Sequence, residues 1–456
     1  MNLSLTWGEA AAATGGKLLR GSPDAPLRAL TTDSRSAGAG QAFVALKGER
    51  FDAHRFLDER LAAACAGWIV RAGCGLPPAR PPCVLEVPDT LKALAAIAGE
   101  HRSRFALPVV GITGSNGKTT TKEMTRAILA VRGGAEGVCA NSGNLNNEVG
   151  LPLSVLELSA STRYAVFEMG ASRPGDIAYL CSAAKPTLGV LTNIGCAHME
   201  FFGSAEAVFK TKSELADALL PGAPLALNAD DPWLSKLIGR FGPQALTFGR
   251  DPKARVRILD ARPGECALLY DGERVSVRWE VCGRTHRCNA AAAAAAALGL
   301  GFSAAEVREG LSAFRSAPLR FASKPHASGA WLLVDAYNAN PDSMRAGVET
   351  FLESASGGRR LLVLGDMKEL GAESAERHRE LGLWLAPLSV AGVFLLGPEC
   401  GALAEGLKQG AARFPVVHAP DAEALKSALR PQLGPGVSVF FKASRAMRLE
   451  EVAEGV

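Results

Sequence analysis

The sequence predicts an α/β protein of three domains, and three observations support this. Its 456 residues are too many for one ordinary core. From Pro108 onward, short apolar runs alternate with helical patterns, which is typical of parallel sheets with crossover helices. A second alternating series begins at Trp331, after a strand-rich interlude. We therefore expect a small α/β domain over 1–105, a central P-loop-type domain with a parallel sheet over 106–318 and a Rossmann-like domain over 319–456.

Each domain has its own run of elements. In the first, strands are expected at "AFVAL", "GWIV" and "CVLEV", and a closing helix at "LKALAAIAGEHRSRF". In the second, the strands "VVGIT", "YAVFEM", "LGVLT" and "LALN" each precede a loop and a helix. The interlude "ARVRILDARPGECALLYDGERVSVRWEV" comes next, and an alanine-rich helix is expected to begin near Asn289. In the third, the strands are "WLLVD", "LLVLG", "GVFLLG", "PVVH" and "SVFFK".

Composition narrows the class of protein. Hydrophobic residues make up 48% and charged residues 21%, and the net charge of +4 is too small to indicate a nucleic-acid or membrane partner. The ten cysteines are scattered, without the spacing of a zinc site, which fits reduced thiols. The N-terminus lacks a secretory pattern, and the longest apolar run is too short for a bilayer. We expect a cytoplasmic protein that does not insert into membranes.

A glycine-rich loop joins the strand "VVGIT" to a helix. Its glycines allow backbone N–H groups to surround phosphate oxygens, and the helix N-terminus adds a positive dipole end. Lys118 would hold outer phosphates, and Thr119 would offer a hydroxyl to magnesium. The spacing departs from the Walker pattern, because Ile112 stands where its first glycine is expected. We interpret the loop as a phosphate site; a purely structural turn is the alternative. The candidate residues are Gly114, Ser115, Asn116, Gly117, Lys118, Thr119 and Thr120.

Two more polar residues follow apolar runs of the central series. Glu168 ends the run "AVFE", and a buried carboxylate is costly unless a cation compensates it, so we expect magnesium there. An ordinary loop glutamate or a partner of a helix N-terminus is the alternative. His198 follows "LGVLT" at the same edge and could instead be a satisfied surface or core histidine. The helix "FKTKSELADAL" carries Lys210 and Lys212, which alone would indicate a solvated face.

In this order and spacing, the motifs resemble the Mur ligase family, the ATP-dependent ligases of peptidoglycan precursor assembly. In the central segment the resemblance rests on "TGSNGKTT", "EMGAS", "NIGCAHMEFFG" and "KTKSEL". In the C-terminal half it rests on "CNAAAAAAA", "APLRF", "VDAYNANPDSM", "VLGDMKELG" and "FKASRAMRLEEV". The segment "TTDSRSAGAGQAFVALKGERFDAHRF" is similar to the family's domain for a UDP-sugar. The resemblance covers essentially the whole chain.

Four features narrow the resemblance within the family. "NLNNEVGLPLSVL", "DAYNANPDSM", "LGDMKELG" and "KASRAMRLEEV" resemble the members that add D-alanyl-D-alanine to UDP-N-acetylmuramoyl-tripeptide. The sequence has neither the "DYAHTPD"-type loop nor the "DNPR" motif of the diamino-acid-adding members. One departure is Leu319, which precedes Arg320 where the family usually has glycine, so the local turn is in question.

The resemblance implies ATP and Mg²⁺ as cofactors and a carbamate on Lys212, formed with CO₂. It assigns catalysis to Lys118, Glu168, His198 and Lys212, and magnesium binding to Thr119, Glu168, His198 and Lys212. The γ-phosphate of ATP would activate a carboxylate as an acyl phosphate, which an amine then attacks to form a C–N bond.

The resemblance also extends the ATP-binding set to the C-terminal half, with Asn289 at adenine, Arg320 at the terminal phosphate and Asp335 at ribose. From the residues alone, Asn289 could cap the alanine helix, Arg320 could form an interface ion pair and Asp335 could cap the next helix. Because the site draws on three domains, catalysis is expected to involve closure.

The implied partners are UDP-N-acetylmuramoyl-tripeptide and D-alanyl-D-alanine, bound by a monomer. A sister ligase that adds one amino acid, a folylpolyglutamate-type synthetase, a nucleotide switch or motor and an inactive scaffold are the rival classes. The implied contacts for the nucleotide-sugar or peptide are Asp33, Ser34, Arg35, Lys47, Gly48, Asn146 and Asn147, and those for the dipeptide are Asn338, Asn340 and Asp342.

Overall fold

The computed structural model describes residues 3–48, 51–195, 202–355 and 358–456. These residues divide into two compact units. The first unit comprises Met1–Thr113, Arg132–Val190 and Thr211–Pro224. The second comprises Gly114–Val131, Leu191–Lys210 and Leu225–Val456.

The helices and strands follow one another along both units. In chain order, the described strands are β1 (Leu5–Thr6), β2 (Lys17–Arg20), β3 (Pro26–Leu27), β4 (Ala29–Thr31), β5 (Gln41–Val44), β6 (Gly67–Arg71), β7 (Cys83–Val87), β8 (Val109–Thr113), β9 (Val138–Ala140), β10 (Tyr164–Glu168), β11 (Leu188–Leu191), β12 (Leu225–Asn228), β13 (Ala245–Gly249), β14 (Val256–Ile258), β15 (Glu265–Tyr270), β16 (Glu273–Arg278), β17 (Ala322–Pro325), β18 (Trp331–Val334), β19 (Arg359–Gly365), β20 (Gly392–Leu396), β21 (Val416–Ala419) and β22 (Val437–Lys442). The described α-helices are α1 (Trp7–Thr14), α2 (Glu59–Ala64), α3 (Thr90–Ser103), α4 (Lys118–Gly133), α5 (Gly150–Val155), α6 (Asp176–Ala184), α7 (Ala205–Ala218), α8 (Ser235–Phe241), α9 (Arg284–Gly299), α10 (Ala304–Ala313), α11 (Pro341–Ser354), α12 (Ser374–Leu385), α13 (Cys400–Gln409), α14 (Ala422–Leu429) and α15 (Leu449–Gly455).

The first unit holds a five-stranded sheet in the order β2-β7-β6-β5-β4 and a small pair, β1-β3. Strands β4 to β7 of the larger sheet run parallel, and only β2 is antiparallel to its neighbour. The unit also holds the strands β9-β10-β8-β11, in which β10 is parallel to both neighbours. The apolar runs of β5, β6, β8, β10 and β11 are buried on both faces, which is the continuous pattern of parallel sheets.

The second unit holds two groups of strands. The parallel strands β12-β13-β14 continue into the antiparallel strands β15 and β16, and β14 to β16 form the strand-rich interlude of the sequence. The last sheet has the order β17-β18-β22-β19-β20-β21, with every pair parallel except β17-β18. This alternation of parallel strands and helices is the Rossmann-like arrangement that the sequence predicts.

Local chemistry explains where several helices begin. The side chain of Asp89 accepts from the backbone N–H groups of Leu91 and Lys92 at the start of α3. Ser303 and Glu306 form a capping box on α10. Each cap satisfies N–H groups that have no partner inside the helix.

The predicted α/β class is confirmed, while a few local expectations need correction. The alanine helix begins at Arg284, well before Asn289, and its alanines are buried. Strands β9 (Val138–Ala140) and β13 (Ala245–Gly249) were not predicted from the sequence. No helix within the described ranges is both long and apolar enough to cross a bilayer. The domain boundaries at 105 and 318 stay a prediction.

Candidate active site

The glycine-rich loop lies between the end of β8 and the start of α4, as the sequence predicts. Two of its glycines are required by close contacts. A Cβ at Gly114 would lie 2.0 Å from Oγ1 of Thr192, and one at Gly117 would lie 2.2 Å from Oδ1 of Asn289. Both glycines also have positive φ angles, 146° and 82°. Only glycine allows the backbone to approach its neighbours this closely.

A second loop anchors this one. The carbonyl oxygen of Asn116 accepts from Oγ1 of Thr192 at 2.7 Å and from Nδ2 of Asn193 at 2.9 Å. The N–H of Asn116 donates to Oδ1 of Asn193 at 2.9 Å. Asn193 follows β11 and was missed by the sequence reasoning, although it stands directly after the "LGVLT" run that predicted His198. The phosphate loop is therefore held in one conformation.

The side chains of the loop residues also have defined places. Nζ of Lys118 donates to the carbonyl oxygens of Gly114 and Ser115, at 2.8 and 3.0 Å. Oγ of Ser115 accepts from the N–H of Gly195 at 2.8 Å. The ammonium of Lys118 thus lies over the loop, where the outer phosphates of a nucleotide would add to its partners.

Asn289 lies inside α9 and is buried, so its interpretation as an N-cap of the helix is wrong. Its side-chain oxygen packs against Gly117 of the phosphate loop. The structure therefore brings together two residues that the sequence assigns to the same ligand.

Arg320 also lies against the phosphate loop. Its Nη2 is 3.5 Å from Oγ1 of Thr119, and its guanidinium lies 4.2 Å from the ring centroid of Tyr337. A cation over an aromatic face is attracted by the ring quadrupole, so Tyr337 orients the guanidinium. Tyr337 was not singled out in the sequence, because an aromatic residue in a loop carries no signal of its own.

The turn before Arg320 settles the question about Leu319. Leu319 has a φ of +59°, the left-handed conformation that glycine adopts freely and leucine adopts at a cost. Its carbonyl oxygen accepts from the N–H of Tyr337 at 3.2 Å. The turn therefore has a leucine in a left-handed conformation, which strains the backbone locally.

Asp335 forms a buried ion pair. Its Oδ2 lies 2.6 Å from Nζ of Lys442, which is 1% exposed and also donates to the carbonyl oxygen of Asn338 at 3.1 Å. Burial lowers the pKa of Lys442, and the carboxylate of Asp335 opposes that shift. Asp335 does not cap the next helix, because Asn340 is the cap of α11. Lys442 was not among the sequence candidates.

The three dipeptide candidates differ in their surroundings. Asn338 is exposed. Asn340 donates from Nδ2 to Oδ1 of Asn116 in the phosphate loop at 3.0 Å. Asp342 lies so near the loop after β11 that a Cβ at Gly195 would be 2.6 Å from its Oδ2. Asn340 thus contacts the phosphate loop, and Asp342 lies against the loop after β11.

Glu168 belongs to the first unit, at the end of β10, where it is 3% exposed. Its Oε1 accepts from Nδ2 of Asn146 at 2.7 Å, and its backbone N–H and C=O pair with the side chain of Asn141 at 2.9 Å each. An oxygen ligand held in this way at a strand end fits the preference of Mg²⁺ for carboxylates. Asn141 is a further residue that sequence reasoning missed.

The two lysines of α7 have opposite environments. Lys212 is 2% exposed, and its Nζ lies 3.5 Å from the carbonyl oxygen of Ala171. The side chain of Lys210 is 72% exposed and pairs with Glu206 at 2.8 Å. Burying an ammonium is costly unless a partner or a chemical change compensates it, which distinguishes the environment of Lys212 from that of Lys210. His198 lies outside the described residues.

The nucleotide-sugar candidates follow two adjacent parallel strands, β4 and β5, whose carboxyl ends share one edge. Arg35 forms a bidentate pair with Asp33 and lowers the pKa of that carboxyl to about 2. Nζ of Lys47 is 4.0 Å from Asp52. Ser34 and Gly48 lie in the same loops, and Oδ1 of Asn147 accepts from the N–H of Gly150 at 2.8 Å.

A further group of potential metal ligands lies in the last sheet. Ligand atoms of Asp366, His378 and Cys400 lie within 4.8 Å of one another, and all three residues are buried. Both ring nitrogens of His378 are engaged, Nδ1 with the carbonyl of Ser374 at 2.8 Å and Nε2 with the N–H of Met367 at 3.0 Å. Burial also raises the pKa of the Cys400 thiol. This group therefore packs a loop and is not suited to bind a metal.

Comparisons with known proteins agree with this geometry. The Mur ligase middle domain family matches residues 112–297, and the family described as Mur ligase, glutamate ligase domain matches residues 320–445. UDP-N-acetylmuramoyl-tripeptide–D-alanyl-D-alanine ligase of Bacillus subtilis (strain 168) is 34% identical over 94% of this chain and 93% of its own length. The crystal structure of MurF from Acinetobacter baumannii superposes with a TM-score of 0.89 at 31% identity and covers 100% of this chain and 99% of its own. MurF ligase from Thermotoga maritima in complex with ADP gives a TM-score of 0.82 at 32% identity, with coverage of 94% and 96%.

Proposed function

This chain belongs to the Mur ligase family, and we infer from this that it is an ATP-dependent ligase that joins D-alanyl-D-alanine to UDP-N-acetylmuramoyl-tripeptide. The product is the UDP-linked pentapeptide precursor of peptidoglycan, and ADP and phosphate are released. One structural observation supports the inference most directly: Arg320 and Asn340, from the C-terminal half, lie against the phosphate loop. A loop that only held a nucleotide would not need these residues beside its phosphates.

The chemistry explains why a peptide ligase spends ATP. A carboxylate is a poor electrophile, since attack by an amine would have to expel an oxide ion. Transfer of the γ-phosphoryl group of ATP to the tripeptide carboxylate releases ADP and forms an acyl phosphate. The amine of the dipeptide then attacks the carbonyl carbon, the C–O bond to phosphate breaks, and the amine loses a proton as the amide forms. Phosphoryl transfer of this kind depends on positioning and charge neutralisation.

The residues on the phosphate loop can supply both. Lys118 and the backbone N–H groups of the loop hold the outer phosphates, and Arg320, oriented by Tyr337, adds a second positive charge at the side of Thr119. Asn289 would read the adenine and Asp335 the ribose. Thr119 and Glu168 would hold one magnesium ion, which neutralises phosphate charge when it is bound.

Lys212 would carry the carbamate. Addition of CO₂ to its neutral amine releases a proton and converts a group that repels magnesium into an anionic oxygen ligand. Burial favours this reaction, because a buried ammonium is penalised relative to the neutral amine. By family resemblance, we assign His198 and the modified Lys212 to a second magnesium ion.

The substrates are assigned by domain. We propose that residues 1–105 hold the UDP-sugar through Asp33, Ser34, Arg35, Lys47 and Gly48. Residues 106–318 would bind ATP, with Asn146 and Asn147 towards the sugar or peptide. Residues 319–456 would receive the dipeptide. We further propose that the enzyme works in the cytoplasm as a monomer, where its nucleotide substrates are available.

The inference is tested with the purified protein, ATP, Mg²⁺ and UDP-N-acetylmuramoyl-tripeptide. Phosphate release is measured with D-alanyl-D-alanine, D-alanine, L-glutamate, L-lysine or diaminopimelate as the amine, and the product is weighed by mass spectrometry. We expect release to require both co-substrates and the product to gain one D-alanyl-D-alanine unit. Product formation with a single amino acid instead would identify a sister ligase, and release without a co-substrate would favour a nucleotide switch.

A further inference from the structure

Asn340 serves two structural elements with one side chain. Its Oδ1 accepts from the N–H of Ser343 at 2.8 Å and caps α11, and its N–H donates to Oγ of Ser343 at 2.9 Å. Its Nδ2 donates to Oδ1 of Asn116 at 3.0 Å. Because the cap needs an oxygen, the orientation of the amide is determined, and the Nδ2 group must face the phosphate loop.

Asn116 is equally fixed on its side. Thr192 and Asn193 hold its backbone through three hydrogen bonds. Its side chain meets a donor in Asn340, so it presents its oxygen. The bond therefore joins two rigid elements, the phosphate loop and the first turn of α11, and a movement of one is passed to the other.

A second residue in the first turn of α11 also lies close to the loops around the proposed nucleotide site. Asp342 lies in that turn, and its Oδ2 occupies the space that a side chain at Gly195 would need. Gly195 in turn donates its N–H to Oγ of Ser115 in the phosphate loop. The first turn of α11 is thus positioned from two sides by residues that contact the phosphate loop.

We propose that Asn340 is a positioning residue that links occupancy of the phosphate loop to the orientation of the segment 338–342. This rests on the proposed function, which assigns that segment to the dipeptide. Because both elements are rigid, a displacement of the phosphate loop on nucleotide binding reaches the dipeptide side through the Asn116–Asn340 bond. The binding of ATP and of D-alanyl-D-alanine is consequently cooperative, and each lowers the apparent KM of the other.

The test separates the link from the cap. Asn340→Ser keeps a side-chain oxygen that can cap α11 but is too short to reach Asn116. Ser343→Ala, the matched control, removes the hydroxyl of the capping box and leaves the Asn116–Asn340 bond in place. The apparent KM for D-alanyl-D-alanine is measured at low and at saturating ATP for the parent protein and both variants.

In the parent protein and in Ser343→Ala, the KM for the dipeptide should fall about three- to tenfold from low to saturating ATP, the factor that one net hydrogen bond supplies. In Asn340→Ser this fall should disappear. Asn116→Ala should abolish it as well, and combining both changes should add nothing further, since the two residues act through one bond.

Two outcomes would overturn the proposal. If Asn340→Ser raises the dipeptide KM by the same factor at every ATP concentration, Asn340 contacts the dipeptide directly and transmits nothing. If the ATP dependence survives in Asn340→Ser, the link runs elsewhere. A parent protein that releases no phosphate on addition of the dipeptide would instead refute the proposed function itself.

Discussion

Leu319 offers a test of how the turn before Arg320 is held. With a φ of +59°, a leucine costs roughly 1–2 kcal/mol more than a residue that is at ease in the left-handed region. Glycine at this position removes that strain, but it also leaves the unfolded chain more freedom, worth about 0.4–1 kcal/mol. The side chain of Leu319 packs partly against the core of the last sheet, and any truncation loses that contact.

The comparison of two truncations isolates the backbone. Leu319→Ala and Leu319→Gly lose almost the same packing, so their difference reports the strain. We expect Leu319→Gly to be more stable than Leu319→Ala by about 0.5–1 kcal/mol. Leu383 provides the control, because it is an exposed leucine inside α12. There the order should reverse, with glycine about 1 kcal/mol worse than alanine.

Urea unfolding followed by circular dichroism measures these differences. Because the protein has two compact units, the midpoints of the same transition should be compared. Turnover by Leu319→Gly should remain near that of the parent protein, since the carbonyl of residue 319 still accepts from Tyr337. If the alanine variant is more stable than the glycine variant at both positions, the turn is not strained and our interpretation of Leu319 is wrong.

Three further predictions concern buried titratable groups. Lys212→Ala should fold but be nearly inactive, with partial rescue by acetate or formate, whereas Lys210→Ala should keep most activity; normal turnover in both would exclude the carbamate. Lys442→Met should lower the free energy of unfolding by about 3–5 kcal/mol, because Asp335 is left buried without its cation, and Asp335→Asn in the same chain should recover most of the loss in urea unfolding. Burial lowers the pKa of His286 from 6.5 to about 4. Between these two pH values only the unfolded chain binds the proton, so the free energy of unfolding should fall by about 3 kcal/mol as the pH drops from 6.5 to 4. His286→Gln should flatten this acid limb in pH-dependent melts; an unchanged limb would show that other groups control it.

The periodicity of the chain was sufficient to predict the α/β class and most strands of its sheets, because long apolar runs such as that of β8 must be buried on both faces. The position of the phosphate loop was also predicted, since a glycine-rich turn between a strand and a helix is typical of phosphate binding. Helix caps are local chemistry, and they depend on neighbours only a few residues away. Where the local signal was short, as in β9, the prediction failed.

The contacts that shape the site are a different matter. Lys442 meets Asp335 across 107 residues of chain, and Asn340 meets Asn116 across 224. No local sequence pattern predicts such a pair, because lysines and asparagines occur throughout the sequence and are usually solvated. The pairs arise only after sheets and helices have packed, when a buried polar atom must find whichever partner the fold has brought within hydrogen-bond distance. The sequence alone therefore determined the elements and the phosphate loop, whereas the tertiary structure decided which distant side chains hold that loop and complete its site.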